Sequence, residues 1–481
     1  MTTRLKPLDA AWLYVESRDT PMHVASLMIF SKPPGAKADF LRDMVLQAKD
    51  TKAFAAPWNL RLAESVLRGV LPAWETDDSL DLDYHIRHSA LPLPGGEREL
   101  GILVSRLHSH ALDLSRPLWE CHIIEGLEND RFALYTKMHH ALIDGVGGMR
   151  LLQRALSSSP KDTVFVPPWT IGAEPSAKKP RAINVGHPFH ALLDMAKQQA
   201  ALLPEVTGAL NEIWRAKRHG DALAAPFSAP KSILNDRITS QRRFATQQYE
   251  LSRLRAIAEA AQVTLNDVVL AISAAALRRF LKEHNVLPRQ SLTAGLPVSV
   301  RPEGNEELGT AISFILADLA TNVADPLRRL KAIHASTLRA KEHLQSLPKA
   351  GLNNYTMIFM APYILGMLTG AAGRTKPMFN LAISNVPGPE HPMYLAGAKL
   401  DAMYPVSVLQ HGQALNITCV SYAGRLNFGF TGSRDTLPHM QRLAVYTGEA
   451  LDELEVAVRG PVKAVAKKGT KRKSVPVKRG K

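Results

Sequence analysis

The sequence predicts an α+β protein, with strands and helices mixed rather than strictly alternating, folded as two halves of similar size. Three observations carry that prediction. The chain has 481 residues, too long for one compact core, so two domains are the default. Hydrophobic residues make up 46% and charged residues 21%, a balance that places it among ordinary globular proteins. Mixed strand-like and helix-like periodicities occur on both sides of a stretch containing Pro, Ser and Lys, "VPPWTIGAEPSAKKPRA" at 166–182, which reads as a linker or long surface loop.

In the first half, residues 1–165, "HVASLMIF" (23–30) reads as a strand and "ADFLRDMVLQAKD" (38–50) has helical spacing of its apolar residues. "LWECHIIEG" and "RFALYTKMHHAL" flank "LEND" and predict a hairpin. Asp144 and Gly145 then break the strand, and "VGGMRLLQRALSS" continues as a helix. Residues 166–235 form a linker loop and a connecting helix, with helical spacing over about 189–218. The second half, 236–458, predicts helices near 251–262, 265–283, 325–346 and 436–457, and strands near 291–300, 311–320, 378–386 and 414–430. No short-period repeat is present.

Several classes are disfavoured. The two cysteines, Cys121 and Cys419, permit no disulfide framework and fit a reducing, cytoplasmic environment. The N-terminal "MTTRLKPLDAAWLYVESRD" has no apolar run of signal-peptide length. Residues 350–373 carry no charge and are long enough to span a bilayer. They contain Asn353, Asn354 and Pro362, however, and read as a buried or membrane-facing helix rather than a span. Nine Lys/Arg and no acid fall in residues 460–481, against a net charge of +15 for the whole chain. Residues 459–481 therefore read as a disordered basic tail. It has no aromatic residue to stack on bases, so anionic lipid, or nothing specific, is expected rather than nucleic acid.

The chemistry centres on "MHHALIDGVGGM", residues 138–149. Neighbouring residues of a strand point to opposite faces. His140 would share the mostly apolar face of Met138, Leu134 and Phe132, and His139 the face of Lys137 and Tyr135. A buried neutral imidazole suits general-base work near neutral pH, so His140 is the candidate base and His139 a packing or supporting residue. Glycines at 145, 147 and 148 remove side chains where the strand turns into a helix, permitting close approach of a substrate. Asp144 reads as a cap that orients this loop. No metal is expected, because zinc wants three or four ligands and adjacent strand histidines diverge. There is no G-x-S-x-G elbow, and Cys121 shows no sign of activation. A base with no nucleophile beside it suggests direct attack by a substrate hydroxyl or amine on an activated carbonyl.

"HHALIDG" matches the HHxxxDG signature of the CoA-dependent acyltransferase superfamily, which includes chloramphenicol acetyltransferase and the condensation domains of peptide synthetases. "ESRDTPMHVASL" (16–27), "RPLWECHIIEGL" (116–127), "LNDVVLA" (265–271) and "ISNVPGP" (383–389) follow in order. With them, residues 5–457 resemble a bacterial wax ester synthase/acyl-CoA:diacylglycerol acyltransferase. The resemblance implies two chloramphenicol-acetyltransferase-like domains with the active-site channel between them. It also implies acyl-CoA as co-substrate with no other cofactor, and a fatty alcohol or diacylglycerol as acceptor. Peripheral attachment to the inner face of the membrane or to lipid droplets follows from substrates this apolar.

In that family His140 would act as general base without a covalent acyl-enzyme, with His139 and Asp144 completing the catalytic group. Gly145, Asn266, Ser384, Asn385 and Arg301 are the candidate substrate-binding positions. Arg301, by analogy, would pair with Asp144 across the domains. Competing local readings stand beside these: Asp267 as part of a capping box with Thr264, Pro387–Gly388–Pro389 as a rigid turn, and Trp119 as core. Arg242–Arg243 would meet CoA phosphates or form an exposed basic pair. The functional alternatives are a related HHxxxDG enzyme using a carrier-protein donor or another acceptor, and a non-catalytic lipid-droplet-binding protein.

Overall fold

The structure is a computed structural model that describes residues 2–5, 7–64, 72–172, 224–299, 312–346 and 364–459. Arg301, the 189–218 helix, most of the 350–373 segment and the basic tail lie outside the described residues.

Two six-stranded sheets organise the chain. The first half supplies β1 (His23–Ser31), β2 (Ile86–Ala90), β3 (Trp119–Leu127) and β4 (Arg131–His139). The second half supplies β5 (Arg242–Glu250), β6 (Thr293–Ser299), β7 (Ile312–Asp318), β8 (Leu381–Val386), β9 (Tyr394–Leu395), β10 (Ala398–Val406), β11 (Leu415–Tyr422) and β12 (Arg425–Ser433). The strand orders are β9-β10-β1-β4-β3-β2 and β7-β6-β8-β11-β12-β5. Two strands from the second half therefore complete the first sheet, with β10 running antiparallel to β1 from Lys399 opposite Ser31 to Val406 opposite Ala25. Periodicity predicts a strand's faces but not which sheet receives it, and no strand was expected at 398–406.

The first half's main helices are α1 (Pro7–Val15), α2 (Phe40–Lys49), α3 (Glu97–Ser109) and α4 (Gly145–Gln153). In the second half, α5 (Leu251–Ala261), α6 (Leu265–Glu283), α7 (Pro326–Ser346) and α8 (Arg442–Arg459) contribute to one core with the second sheet. The run "VVLAISAAAL" is apolar all round because α6 is enclosed by its neighbours. At its start, Thr264 and Asp267 form the expected capping box. Asp267 also accepts hydrogen bonds from His334 Nδ1 at 2.8 Å and Thr337 Oγ1 at 2.6 Å. Burial raises the Asp267 carboxyl, but these donors and Thr264 leave it below its usual range. Asp267 thus ties α6 to α7 and is structural.

β4 is buried on both faces. Phe132, Leu134 and Met138 join the core that holds Trp58, Trp119 and Trp169. Ala133 and Tyr135 join a second core with Leu100, Leu103 and Val104 of α3, Phe244 of β5 and Tyr404 of β10. The two halves are thereby packed through the sheet that carries the histidines. Gly429 of β12 permits a close approach of the two sheets, since a Cβ there would lie 1.9 Å from the Pro405 carbonyl oxygen of β10.

Other expectations shift in detail. The 414–430 strand is a hairpin, β11 and β12, turning at Ala423 and Gly424 with φ of 44° and 79°. The last helix begins at Arg442, not 436. The described ends of the 166–235 segment pack into the flanking cores. Trp169 stacks on Trp119 with centroids 5.4 Å apart, and Asn235 donates to the carbonyls of Phe379, Asn380 and Gly412. Among the described residues no single helix is long and apolar enough to cross a membrane.

Gly429→Ala is expected to destabilise the protein by about 1–3 kcal/mol through overpacking. Gly424→Ala, whose Cβ meets nothing within 4 Å, should cost only about 1 kcal/mol from its backbone conformation. Thermal denaturation of the two variants side by side measures this; equal losses would remove the close-approach argument.

Candidate active site

β4 ends at His139, short of the expected break at Asp144, so His140 stands in the following turn and not on the apolar strand face. Backbone bonds fix the exit. The His139 N–H donates to the Leu118 carbonyl at 2.9 Å, the Leu142 N–H to the His139 carbonyl at 3.0 Å, and the His140 N–H to the Met22 carbonyl at 2.8 Å. The "PLW" residues therefore act here through a main-chain oxygen, while the Trp119 side chain lies in the core.

His139 is wholly buried. Its Nδ1 accepts the Ala141 N–H at 3.0 Å, which puts the ring proton on Nε2, where it is donated to Glu16 Oε2 at 3.2 Å. The other Glu16 oxygen accepts the Met22 N–H at 3.2 Å. One carboxylate thus holds both histidines, His139 by its side chain and His140 through the Met22 peptide.

The His140 ring stacks on Trp12 of α1, with centroids 4.0 Å apart and planes inclined by 22°. Its Nδ1 is enclosed and has no hydrogen-bond partner among the described residues, leaving Nε2 as the nitrogen available for proton transfer. Burial lowers its pKa to about 4, against the opposing pull of the Asp144 charge. The imidazole is neutral at physiological pH and free to accept a proton.

Asp144 caps α4 as expected, its Oδ1 accepting the Gly147 N–H at 2.7 Å. A Cβ at Gly147 would sit 3.1 Å from that oxygen, so this glycine makes room for the cap. A Cβ at Gly145 would meet nothing within 4 Å, and Gly145 is exposed. The first turn of α4 is open beside His140.

The remaining candidates are more scattered. Asn266 is half-buried in the first turn of α6, Ser384 is half-buried on β8 and Asn385 is exposed. Among the described residues no hydrogen bond or ring contact joins any of them to the two histidines. Gly388, in the turn after β8, would place a Cβ 2.3 Å from the Ser421 carbonyl oxygen, consistent with a rigid turn pressed against the β11–β12 hairpin. Cys121 is buried, and burial pushes its thiol up to about 12, so it is no nucleophile at neutral pH. No group of three or more His, Cys, Asp or Glu side chains suited to a metal occurs among the described residues.

The exposed-pair expectation for Arg242–Arg243 fails at Arg242, which is 3% exposed. It donates to the carbonyls of Asp19, at 3.0 Å, and Thr239. Burial brings its guanidinium down to about 10. Arg242 pins the 16–22 segment to β5, which makes it a brace for Glu16. Glu16, Trp12 and Met22 were not singled out from the sequence, although Glu16 and Met22 fall within the 16–27 motif. An acid immediately after an apolar helix was the available signal for Glu16.

Glu16→Gln replaces one acceptor oxygen by an amide donor facing His139 Nε2–H. A buried unsatisfied donor costs about 1–3 kcal/mol, so kcat should fall roughly tenfold or more with little change in the KM for acyl donor. Steady-state kinetics of purified protein tests this, and an unchanged kcat would remove Glu16 from the positioning role.

Comparison with known proteins meets this geometry. A family model of the wax ester synthase/diacylglycerol acyltransferase catalytic domain matches residues 5–269, and one of the WS/DGAT C-terminal domain matches 308–455. A Mycobacterium tuberculosis protein, named provisionally as a diacylglycerol O-acyltransferase, is 48% identical over 484 residues, covering 94% of this chain and 97% of the relative. The O-acyltransferase WSD of Acinetobacter baylyi is 40% identical over 452 residues, covering 94% and 96%. The solved wax ester synthase/diacylglycerol acyltransferase of Marinobacter aquaeolei VT8 superposes with a TM-score of 0.76 at 38% identity, covering 95% of this chain and 100% of that one. The first condensation domain of the calcium-dependent antibiotic synthetase shares the fold, with a TM-score of 0.58 at 16% identity over 96% and 97% of the chains. The mixed α/β, two-domain architecture expected from the sequence is the one these structures have. The chain belongs to the wax ester synthase/diacylglycerol acyltransferase family of O-acyltransferases.

Proposed function

We propose that the protein transfers a fatty acyl group from acyl-CoA to a long-chain alcohol, to diacylglycerol, or to both, with His140 as general base. The observation that carries this reading is the neutral, half-buried His140 ring, held by backbone and by Trp12 beside the open first turn of α4. His140 Nε2 takes the acceptor's hydroxyl proton as the oxygen attacks the thioester carbonyl. The tetrahedral intermediate collapses, the C–S bond breaks, and the departing CoA sulfur receives the proton from the imidazolium. A thiol has a free pKa of about 8.5, so it leaves without a strong acid. The thioester itself is the activated group, and the reaction as written uses no cofactor besides acyl-CoA.

The two acceptors share a primary or secondary hydroxyl on an apolar body, and the base treats them alike. Such substrates reside in lipid, so the protein works as a peripheral enzyme at the inner face of the membrane or at lipid droplets. Within the uncharged 350–373 stretch, residues 364–368 are helical, and Leu365 and Leu368 are 60% and 53% exposed. Exposed leucines one turn apart supply an apolar contact for a lipid surface.

The decisive measurement is thiol release from palmitoyl-CoA with hexadecanol or dipalmitoylglycerol, with extracted products resolved by chromatography. Acceptor-dependent release is expected, and His140→Ala should reduce it roughly 10²–10⁴-fold, the usual contribution of a general base. Full activity in the variant would overturn the assignment, and no release with either acceptor would turn attention to carrier-bound donors and amine acceptors.

The depressed His140 pKa also predicts a pH pattern. Between about 4 and 6.5 the unfolded chain binds a proton at this histidine that the folded protein does not, so stability falls as pH drops through that window. The activity of the folded enzyme should nevertheless stay flat through pH 6.5 and decline only towards pH 4. A kcat/KM limb centred near 6.5 would contradict a base held neutral by its surroundings.

Leu365→Ser/Leu368→Ser should lower the rate on acceptors presented in vesicles severalfold and leave the rate on a short, water-soluble alcohol unchanged. Equal effects on both would locate those leucines in folding and not at a lipid surface.

A further inference from the structure

The helical layer of the second half contains a cavity of about 170 Å³ that acyl transfer leaves unused. It lies between the C-terminal half of α6, the start of α7 and the middle of α8, where Arg278, Arg279, Lys282 and Arg329 face a single lining carboxylate, Glu453. Small alanines complete the lining along with Tyr446.

The cations differ in how far the protein satisfies them. Arg279 is paired with Glu283 and Glu449 and lies over the Tyr446 ring, which Arg442 also approaches. Tyr446 donates to Glu283, which also pairs with Arg442 at 3.3 Å. Arg278 donates to the Thr321 carbonyl at 2.7 Å. Arg329 is 4% exposed. Its Nη1 is bonded to the Val323 and Ala324 carbonyls at 2.9 and 3.3 Å, while its Nε is enclosed without a hydrogen-bond partner. Burial, and after it the nearby Arg278 charge, lower its pKa against the opposing pull of Glu453 and Asp325.

Carbonyl oxygens satisfy N–H geometry but do not neutralise charge, and a buried guanidinium without a counter-ion is costly. A tetrahedral oxyanion supplies what is missing. It carries two negative charges and enough acceptor oxygens to meet two guanidinium forks and an ammonium together. A carboxylate would fill only part of that set. The cavity has room for a phosphate group. Arg278 stands twelve residues beyond Asn266 on α6, about 18 Å along the helix, which separates this cavity from the end of the helix that carries the family motif.

We propose that the cavity is a phosphate-binding site, distinct from the acyl-transfer site, filled by orthophosphate or by the phosphomonoester headgroup of an anionic lipid. The test uses the full chain. Binding of orthophosphate is followed by calorimetry and thermal shift against chloride at matched ionic strength. In a second arm, co-sedimentation compares phosphatidylcholine vesicles with and without phosphatidic acid. Saturable orthophosphate binding identifies the free ion, and binding only to vesicles containing phosphatidic acid identifies the lipid; either supports the site. Arg278→Gln and Lys282→Gln should each weaken binding roughly tenfold, as expected for loss of a charged hydrogen bond, and leave the KM for acyl-CoA unchanged. Lys282 is exposed, so its variant is not expected to disturb folding, whereas Arg329→Gln would also loosen the start of α7. Absence of binding in both arms, or binding retained by both variants, overturns the proposal. A raised KM for acyl-CoA in the variants would do so as well, because it would assign the cavity to the phosphates of the substrate.

Discussion

The site depends on one carboxylate. Glu16 is anchored just beyond α1, accepts the His139 side chain with one oxygen and the Met22 N–H with the other. The Met22 carbonyl then accepts the His140 N–H. Without this tie, His139 Nε2 would be a buried donor with no acceptor, and the Met22 peptide would lose the bond that orients it. A buried polar pair contributes little net stability but is expensive to break from one side. That asymmetry is what makes it useful: the exit of β4 and the approach of the 16–22 segment have one mutually satisfied arrangement, and His140 is placed by it.

The same segment is held from the other half of the chain. Arg242, on β5, donates to the Asp19 carbonyl, and its backbone N–H donates to Ser109 at the end of α3. β10 leaves the second half to lie beside β1, directly across the sheet from β4, and Gly429 lets β12 close upon it. Behind the histidines, His108 bridges Tyr135 of β4 to the Ser407 carbonyl just after β10, at 2.9 and 3.0 Å. The two halves are therefore not independent bodies meeting at a cleft. A displacement of the second half would be transmitted to Asp19, to Ser407 and so to both ends of the strand pair that delivers His140.

Much of this was legible in the sequence because it is local. The β3–β4 hairpin, the Thr264–Asp267 capping box, the helical run of α6 and the glycine-rich start of α4 are written in spacings of two to four residues, and the structure has them. The role proposed for His140 comes from its motif, but its position is not written there. Period-two reasoning extends β4 to Leu142, whereas the Met22 and Leu118 carbonyls, more than twenty positions from either histidine, end it at His139. Glu16, Trp12 and the burial of Arg242 went unread for the same reason. Their meaning lies in partners about 120 to 220 residues away, and no periodicity encodes a partner. The passage of β10 into the first sheet is the largest instance.

In the proposed reaction a base whose pKa is near 4 would be a weak acceptor for a hydroxyl proton, and the surroundings of His140 would offset that weakness. Burial disfavours the imidazolium in the resting enzyme, which keeps the base unprotonated and available. Asp144 and Trp12 act on the other state. The Asp144 charge favours the imidazolium, and the Trp12 ring, stacked at 4.0 Å, presents its electron-rich face to the cation as it forms. Both effects grow with the positive charge and are largest in the transition state, where stabilisation accelerates the reaction. The oxyanion of the proposed reaction would still require donors; Gly145 carries no side chain at the start of α4, while the Gly147 and Gly148 N–H groups are already bonded to Asp144. The glycine and the aspartate of the motif thus act on the same helix start: one leaves it open, and the other caps it.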